Sequence, residues 1–481
     1  MKFRLQLTVA AAALACAYAA PAIAQDAALG DWGVETANID TSIDPGDDFF
    51  RHVNAGWLDN QTIPSGFSSN GAFLELYMLS EQRVADIISD MGSAAGAPGT
   101  PEQQVGDLYS SFMDVDAVDA AGLDPLRADF ARFQAIETPA DIAAAFATPN
   151  APSFVTEYVG VNSDDPDHYI LSLTQSGLGL PGRDYYLRDD DDFVGYQQAY
   201  RDHLANVFAL AGIDNGAERA ERIYALEAAL AEIHWTPEDA TDSLLIHNRM
   251  TREELLAYAP AFDWDTYLDA RGLGDLENLN LDENVALRDM AEVIADTPIE
   301  TLRDYLVVHF IDNHASLLPN AFYEESFDFY SRTLSGIEQP RERHLRAVQL
   351  VNGNLGEPVG RIYVERHFPA EYKEQMEELV AYLRRGLRER IETLEWMDDE
   401  TRAEAIRKLD AFGVKIGYPD QRPDRQHAPD PGLQLGSGPA ASRRNSARMG
   451  MGHDPADRER LLFIDPQRDR LPRGHSPAAL L

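Results

Sequence analysis

Three kinds of residue in this chain invite a chemical reading, and each fails on spacing or context. Gly177-Leu178-Gly179-Leu180-Pro181-Gly182 has the G-x-G-x-x-G spacing of a dinucleotide-binding turn and follows a run of strand character. Such a turn works by opening a helix whose N-terminus receives a pyrophosphate. Here Pro181 interrupts, and the four acids Asp189 to Asp192 would repel an anion. The expectation is a structural loop. His309 and His314 are five residues apart, so they do not share a helix face as two zinc ligands four apart would. There is no His-Glu-x-x-His, no G-x-S-x-G elbow and no P-loop. Carboxylates are abundant, but a general acid-base pair is defined by geometry, which spacing does not give. No residue is nominated as catalytic, cofactor-binding or metal-ligating.

Composition narrows the function classes further. A net charge of -40 over 481 residues disfavours nucleic acid and anionic membrane, because phosphate recognition needs Lys and Arg gathered on one face. The charge reads as a solvated acidic surface. A hydrophobic content of 44% is enough for a sizeable core, and the length suggests about three domains. Residues 1–24 have the pattern of a secretory signal peptide: Lys2 and Arg4, an apolar run too short to span a bilayer, then Ala22-Ile23-Ala24 before Gln25. Cys16, the only cysteine, lies inside it, so the mature chain would have neither disulfide nor thiol chemistry. Lipidation at Cys16 is disfavoured because Ala13-Leu14-Ala15 puts its leucine in the wrong place for a lipobox. No later run has 18 consecutive apolar residues, so the expected location is periplasmic or secreted.

The elements that would position any site are mostly helical. Residues 25–42 are small and polar and read as an extended linker. Asp44 to Trp57 then packs a turn signal, an acidic helix start and an aromatic cluster together, the density of a fixed packing site. Helical spacing recurs in Phe73–Met91, Val105–Met113, Ile142–Phe146, Gln197–Ala211, Ala217–Ile233, Arg252–Leu256 and Met290–Ala315. Phe154–Thr174, rich in β-branched and aromatic residues, reads as a short hairpin. The strongest signal is Phe368–Pro419. Met376, Leu379, Val380, Leu383, Leu387, Ile391 and Leu394 share one face of a long helix starting near Pro369. Asp398 can cap a second helix whose Ala403, Ile406, Leu409 and Phe412 share a face, with Gly413 at its end.

In order, these pieces resemble the N-terminal half of the neprilysin-type zinc metallopeptidases, a family that includes endothelin-converting enzymes and bacterial secreted oligopeptidases. The resemblance rests on Asp44-Pro45-Gly46-Asp47-Asp48-Phe49-Phe50 through Gly56-Trp57, Leu108-Tyr109-Ser110-Ser111-Phe112-Met113-Asp114 and Leu180-Pro181-Gly182-Arg183-Asp184-Tyr185-Tyr186-Leu187. It continues through Leu226-Glu227, Trp235, Asn248-Arg249-Met250, Phe262-Asp263-Trp264, Gly356-Glu357-Pro358-Val359-Gly360-Arg361-Ile362-Tyr363-Val364 and the closing helical pair. Gly46 and Asn54 stand where animal members carry cysteines, which places the chain with the disulfide-free bacterial branch. Ala240-Thr241-Asp242 departs from the family's Arg before Asp. The resemblance implies a mainly α fold: a large multi-helical lid domain with a small β-hairpin, over residues 43–420, that restricts substrates to peptides. It implies that zinc, its His-Glu-x-x-His ligands and the substrate-aligning Asn-Ala-Tyr strand belong to the C-terminal half. No residue here matches those positions, so no catalytic, cofactor or metal residue is carried over, and a separately encoded catalytic half is a candidate partner.

Beyond Asp420 the character of the chain changes. Residues 421–481 hold ten arginines, no lysine and seven acids, a sign reversal that reads as a disordered basic tail or as GC-rich DNA translated out of frame. The genetic code favours the second reading. Synonymous codons for Gly452–Leu462, read from their second nucleotide, permit Gly-Met-Thr-Pro-Gln-Thr-Val-Asn-Ala-Tyr, which contains the family's substrate-aligning Asn-Ala-Tyr. The expectation is a frameshift after Pro419-Asp420 and a polypeptide that is inactive by itself. The alternative is a truncated, non-enzymatic helical protein that binds peptides or a partner.

Overall fold

The β-branched and aromatic run that reads as a hairpin does fold as one, but it is half of a larger sheet. In the computed structural model, which describes residues 35–94 and 96–418, β1 (Val155–Val161) pairs antiparallel with β2 (Tyr169–Gln175). β2 also pairs in parallel with β4 (Asn278–Leu281), and β4 antiparallel with the short β3 (Arg249–Thr251), giving the order β1-β2-β4-β3. The register sets Leu171 opposite Leu279 and Leu173 opposite Leu281, and all four are buried. The parallel neighbour is distant in sequence, so spacing within the hairpin gave no sign of it. The expected signal peptide with Cys16, most of the expected linker and the tail 421–481 lie outside the described residues.

The chain divides into two compact units at Ala72/Phe73. In the first, Thr36–Asn38 form one 3-10 turn within the stretch expected to be extended. Helix α1 (Phe49–Asn60) is capped by Asp48, which accepts from the Arg51 amide at 2.8 Å, and Asp44 accepts from the Gly46 amide at 2.7 Å. Of the aromatic cluster expected here as a fixed packing site, Trp57 is half-buried. Phe49 and Phe50 are exposed, and of α1 only Ala55 is fully buried. Gly56 does have a packing role, since a Cβ there would lie 2.8 Å from the Asn38 Cα.

In the second unit the helices run α2 (Ala72–Ser93), α3 (Pro101–Met113), α4 (Val115–Ala121), α5 (Arg127–Gln134) and α6 (Pro139–Phe146) before the sheet. Then follow α7 (Asp184–Leu187), α8 (Asp191–Leu210), α9 (Gly216–Ile233), α10 (Arg252–Tyr258) and α11 (Trp264–Ala270). The remainder are α12 (Asn284–Asp296), α13 (Ile299–Asn313), α14 (Asn320–Ser326), a π-helical turn Phe327–Thr333, α15 (Arg343–His367), α16 (Ala370–Thr393) and α17 (Asp399–Asp410). Local chemistry explains many of the ends. Thr138 with Asp141, and Thr251 with Glu254, form reciprocal capping boxes. Asp191 and Asp192 of the acidic run occupy the first turn of α8, where the helix dipole favours negative charge. The helix expected over Met290–Ala315 is in fact two, α12 and α13, because Pro298 cannot donate within a helix and holds Thr297 extended.

Two hydrophobic cores result. The larger runs from Leu126 to Phe329 and joins the sheet to helices α5 through α14; Phe154 packs within it against Phe146, Phe262 and Trp264. The smaller packs Ile87, Ile88 and Met91 of α2 with Val105 of α3 and Val348, Val351 and Val359 of α15. Helix α15 kinks at Leu355 (φ -129°, ψ 32°), where Pro358 removes an intrahelical donor and crowds the Asn354 carbonyl. The hairpin α16–α17 forms as expected, with Asp398 accepting from the Thr401 amide at 2.8 Å. It ends earlier than expected: α17 stops at Asp410, so Phe412 falls outside the helix and is exposed, and Gly413 is not its cap.

The burial contrast is testable. Phe154→Ala should cost about 3–5 kcal/mol in urea unfolding, while Trp396→Ala, at a side chain 74% exposed, should change stability by no more than about 0.5 kcal/mol.

Candidate functional site

The Gly177–Gly182 segment proves to be a loop, as its context indicated, and its glycines serve a buried carboxylate rather than a phosphate. Glu227 projects from α9 into the larger core and is fully buried. It accepts hydrogen bonds from Tyr186 Oη at 2.6 Å, Tyr200 Oη at 2.8 Å, His309 Nε2 at 2.6 Å and the Gly179 amide at 3.3 Å. Four segments thus converge on one acid, which supplies the desolvated carboxylate with the donors it needs. Gly179 is required sterically: a Cβ there would sit 1.8 Å from Tyr200 Oη. Gly177 has φ +97°, and a Cβ would meet the Phe154 Cα at 2.8 Å. His309 is therefore a core histidine. His314 is another, its Nδ1–H donating to the Phe310 carbonyl at 2.7 Å.

A second buried cluster lies on the other side of Tyr200. His203 of α8 pairs with Glu325 Oε1 at 3.2 Å through Nδ1 and with Asp312 Oδ1 at 3.4 Å through Nε2. Its ring stacks on Phe329 and meets Tyr330 edge-on, both supplied by the π-helical turn. That turn is braced by Thr333 and Ser335 hydroxyls, each donating to a carbonyl five residues back. Burial alone would lower the His203 pKa, but the two carboxylates outweigh it and raise it to about 9. Burial would likewise raise Asp312 and Glu325, but hydrogen bonding and charge from His203 hold both below the usual carboxylate range. His234 is the opposite case: burial lowers it to about 4, although it donates to the Ser176 carbonyl at 3.0 Å.

Displaced titration of this kind, as at His203 and His234, is a usual mark of an active site. Their geometry does not support that role. The ring nitrogens of His203 and the Nε2 of His309 face carboxyl groups already engaged within the core. Among the described residues no group of three or more His, Cys, Asp or Glu side chains is arranged to hold a metal ion. The donor sets present do not fit a zinc centre, which needs several neutral or anionic ligands converging on one open position. Sequence reading singles out neither Glu227 nor His203. The signal was present, since each interrupts an apolar row, Ile223-Leu226-Leu230 for the first and Tyr200-Leu204-Val207 for the second. A charged residue in a helix's buried stripe marks a satisfied polar core as readily as a site.

What the second unit does present to its surroundings is apolar helix surface. In α2, Phe73, Leu76 and Leu79 are exposed while Ile87, Ile88 and Met91 farther along are buried. In α16 the expected apolar face is formed, yet of the whole helix only Ile391 is buried. Asp242, in the segment that departs from the family pattern, simply accepts from the Leu244 amide at 2.9 Å.

Two outcomes follow from the buried network. Gly179→Ala should destabilise the protein by about 3 kcal/mol or more in urea unfolding. Gly182→Ala, with nothing within 4 Å of its added carbon, should stay within about 0.5 kcal/mol. Folded His203 keeps its proton to about pH 9, against 6.5 for the free side chain, so its contribution is complete below pH 6.5 and lost as pH rises through 9. His234 titrates at about 4 when folded, so its contribution is complete above pH 6.5 and lost as pH falls toward 4. Unfolding free energies of His203→Gln should therefore decline less than wild type between pH 6.5 and 9, and those of His234→Gln less than wild type between pH 6.5 and 4.

Comparison with known proteins places this architecture. The sequence profile of peptidase family M13 matches residues 45–419. Endothelin-converting enzyme-like 1 of Homo sapiens is 27% identical over 410 residues, covering 80% of this chain and 52% of that protein. Endothelin-converting enzyme 1 of Rattus norvegicus is 25% identical over 402 residues, with the same two coverages. Among solved structures, the zinc metalloprotease Zmp1 of Mycobacterium tuberculosis, in complex with an inhibitor, superposes with a TM-score of 0.78 at 32% identity. That match covers 91% of this chain and 66% of Zmp1. The chain thus spans about half the length of the curated relatives it matches. With the profile covering most of the sequence, the chain belongs to peptidase family M13.

Proposed function

We propose that residues 43–420 are the N-terminal, substrate-restricting half of a secreted zinc metalloendopeptidase, and that this polypeptide hydrolyses no peptide by itself. The observation that carries the reading is the match to peptidase family M13 over residues 45–419, together with a coverage of only 52% of the human relative. In this reading zinc and its ligands come from the further half, and the present chain contributes the helical wall that admits only peptides. The lack of fit between its buried histidines and a zinc centre supports this division. The change of character after Asp420 supports a frameshift as its origin. Among the described residues no helix is long and apolar enough to cross a membrane. Export would depend on residues 1–24, with the mature chain beginning at Gln25.

A second reading, a lone helical protein that binds peptides or a partner, draws on the exposed faces of α2 and α16. It predicts a soluble, monodisperse chain that binds peptides without assistance. Exposed apolar surface of this extent favours association or aggregation instead.

The nucleotide sequence following the Pro419 codon should encode, one nucleotide over, the Asn-Ala-Tyr segment and then a His-Glu-x-x-His. An unshifted gene with neither feature contradicts the proposal. The purified mature chain should bind no stoichiometric zinc by elemental analysis; one zinc per chain together with peptide cleavage contradicts it equally.

A further inference from the structure

The exposed row of α16 runs Tyr372, Met376, Leu379, Leu383, Leu387, at steps of four, three, four and four, with side chains 42–63% exposed. The next member of the same row, Ile391, is buried, and α17 covers it with Leu409 as the hairpin's other buried side chain. One continuous apolar stripe is therefore packed at its C-terminal end and bare over the preceding four turns. A helix of 24 residues holding one buried side chain lacks the tertiary packing from which helices in proteins draw most of their stability. Polar contacts to α17 hold only the packed end: Arg384 donates to the Leu409 carbonyl at 3.0 Å, and Arg388 pairs with Asp410.

The backbone itself indicates what should cover the rest. After α17 the chain returns to the start of α16. The Tyr418 ring lies 5.9 Å from that of Phe368, and Lys373 Nζ donates to the Tyr418 carbonyl at 3.1 Å. Whatever polypeptide follows in a longer family member leaves from beside Tyr372, at the bare end of the stripe. The family match runs to residue 419, and the relatives contain about as much chain again.

We infer that the Tyr372–Leu387 stripe is the docking seat for the half of an M13 peptidase that this chain does not span, and that a separately supplied half binds there in trans. The inference rests on the proposed function and adds the surface through which the two halves meet. A second copy of this chain is the rival occupant. An antiparallel pair of α16 helices would set the acidic turns around Glu374 and Glu377 against Arg385 and Arg390. The path of the backbone selects the other half, because the connection starts where the stripe is bare.

The test uses the full mature chain and a second polypeptide, the one the gene specifies beyond the Pro419 codon when read one nucleotide over. Hydrogen exchange is followed in the chain alone and in the mixture. In the chain alone, amides of 372–387 should exchange at least about 100-fold faster than those of α9; in the mixture they should slow by about 10-fold or more. Leu379→Glu with Leu383→Glu should weaken association at least about 100-fold, by placing two charges in an apolar interface, while leaving the chain's own melting temperature unchanged. Slow exchange of 372–387 in the chain alone, whether from a second copy or from its own residues 420–481, overturns the inference. So does a mixture that fails to associate, or one that associates without slowing α16. If the mixture cleaves peptides while α16 exchange stays fast, the proposed function stands and the seat is wrong. If the gene has no such second reading, the proposed function fails, and the seat with it.

Discussion

A single buried carboxylate organises the larger core. Glu227 sits among apolar side chains, and its desolvation is offset only because Tyr186, Tyr200, His309 and the Gly179 amide all reach it. Each donor comes from a different segment: the glycine loop, the short α7, and the helices α8 and α13. Removing any one would leave a buried charge short of a partner, so the acid fixes the relative placement of those segments. Of the glycines that resemble a nucleotide motif, Gly179 leaves room for Tyr200 and Gly177 for the Phe154 backbone. The His203 cluster extends the arrangement through Tyr200 and Phe329, so two polar clusters share one aromatic wall.

The α16–α17 hairpin shows the opposite economy of burial. The core from Leu126 to Phe329 buries nearly fifty apolar side chains in one continuous cluster and pairs Glu227 with four donors. The hairpin buries two side chains and leaves the rest of its stripe in water. Both are encoded by the same kind of amphipathic sequence, so the difference lies in what each has available to pack against. A polypeptide whose match covers about half the length of its relatives, and which bares an apolar helix where that match ends, is consistent with one half of a larger fold.

Much of this was legible in the sequence. Helical spacing located α2, α3, α8, α9 and both members of the hairpin, and the β-branched run located β1 and β2. What escaped was non-local. The parallel pairing of β2 with β4 joins residues more than a hundred positions apart, and no local pattern announces it. The break between α12 and α13 was visible in Pro298 but was overridden by the apolar spacing on either side. The aromatic density of Phe49 to Trp57 was read as packing; Trp57 is half-buried, while Phe49 and Phe50 are exposed. Glu227 and His203 were overlooked because a charge in an apolar row gives no indication of its partners, which arrive from far along the chain.

The central claim is that this chain is the non-catalytic half of a peptidase. It is tested most directly by peptide hydrolysis in three samples: the mature chain, the polypeptide read one nucleotide over beyond Pro419, and the two together with zinc. The account predicts cleavage of short peptides by the mixture and none by the mature chain. Hydrolysis by the mature chain alone, or a second polypeptide whose activity and preference for short peptides are the same with and without it, would contradict the account.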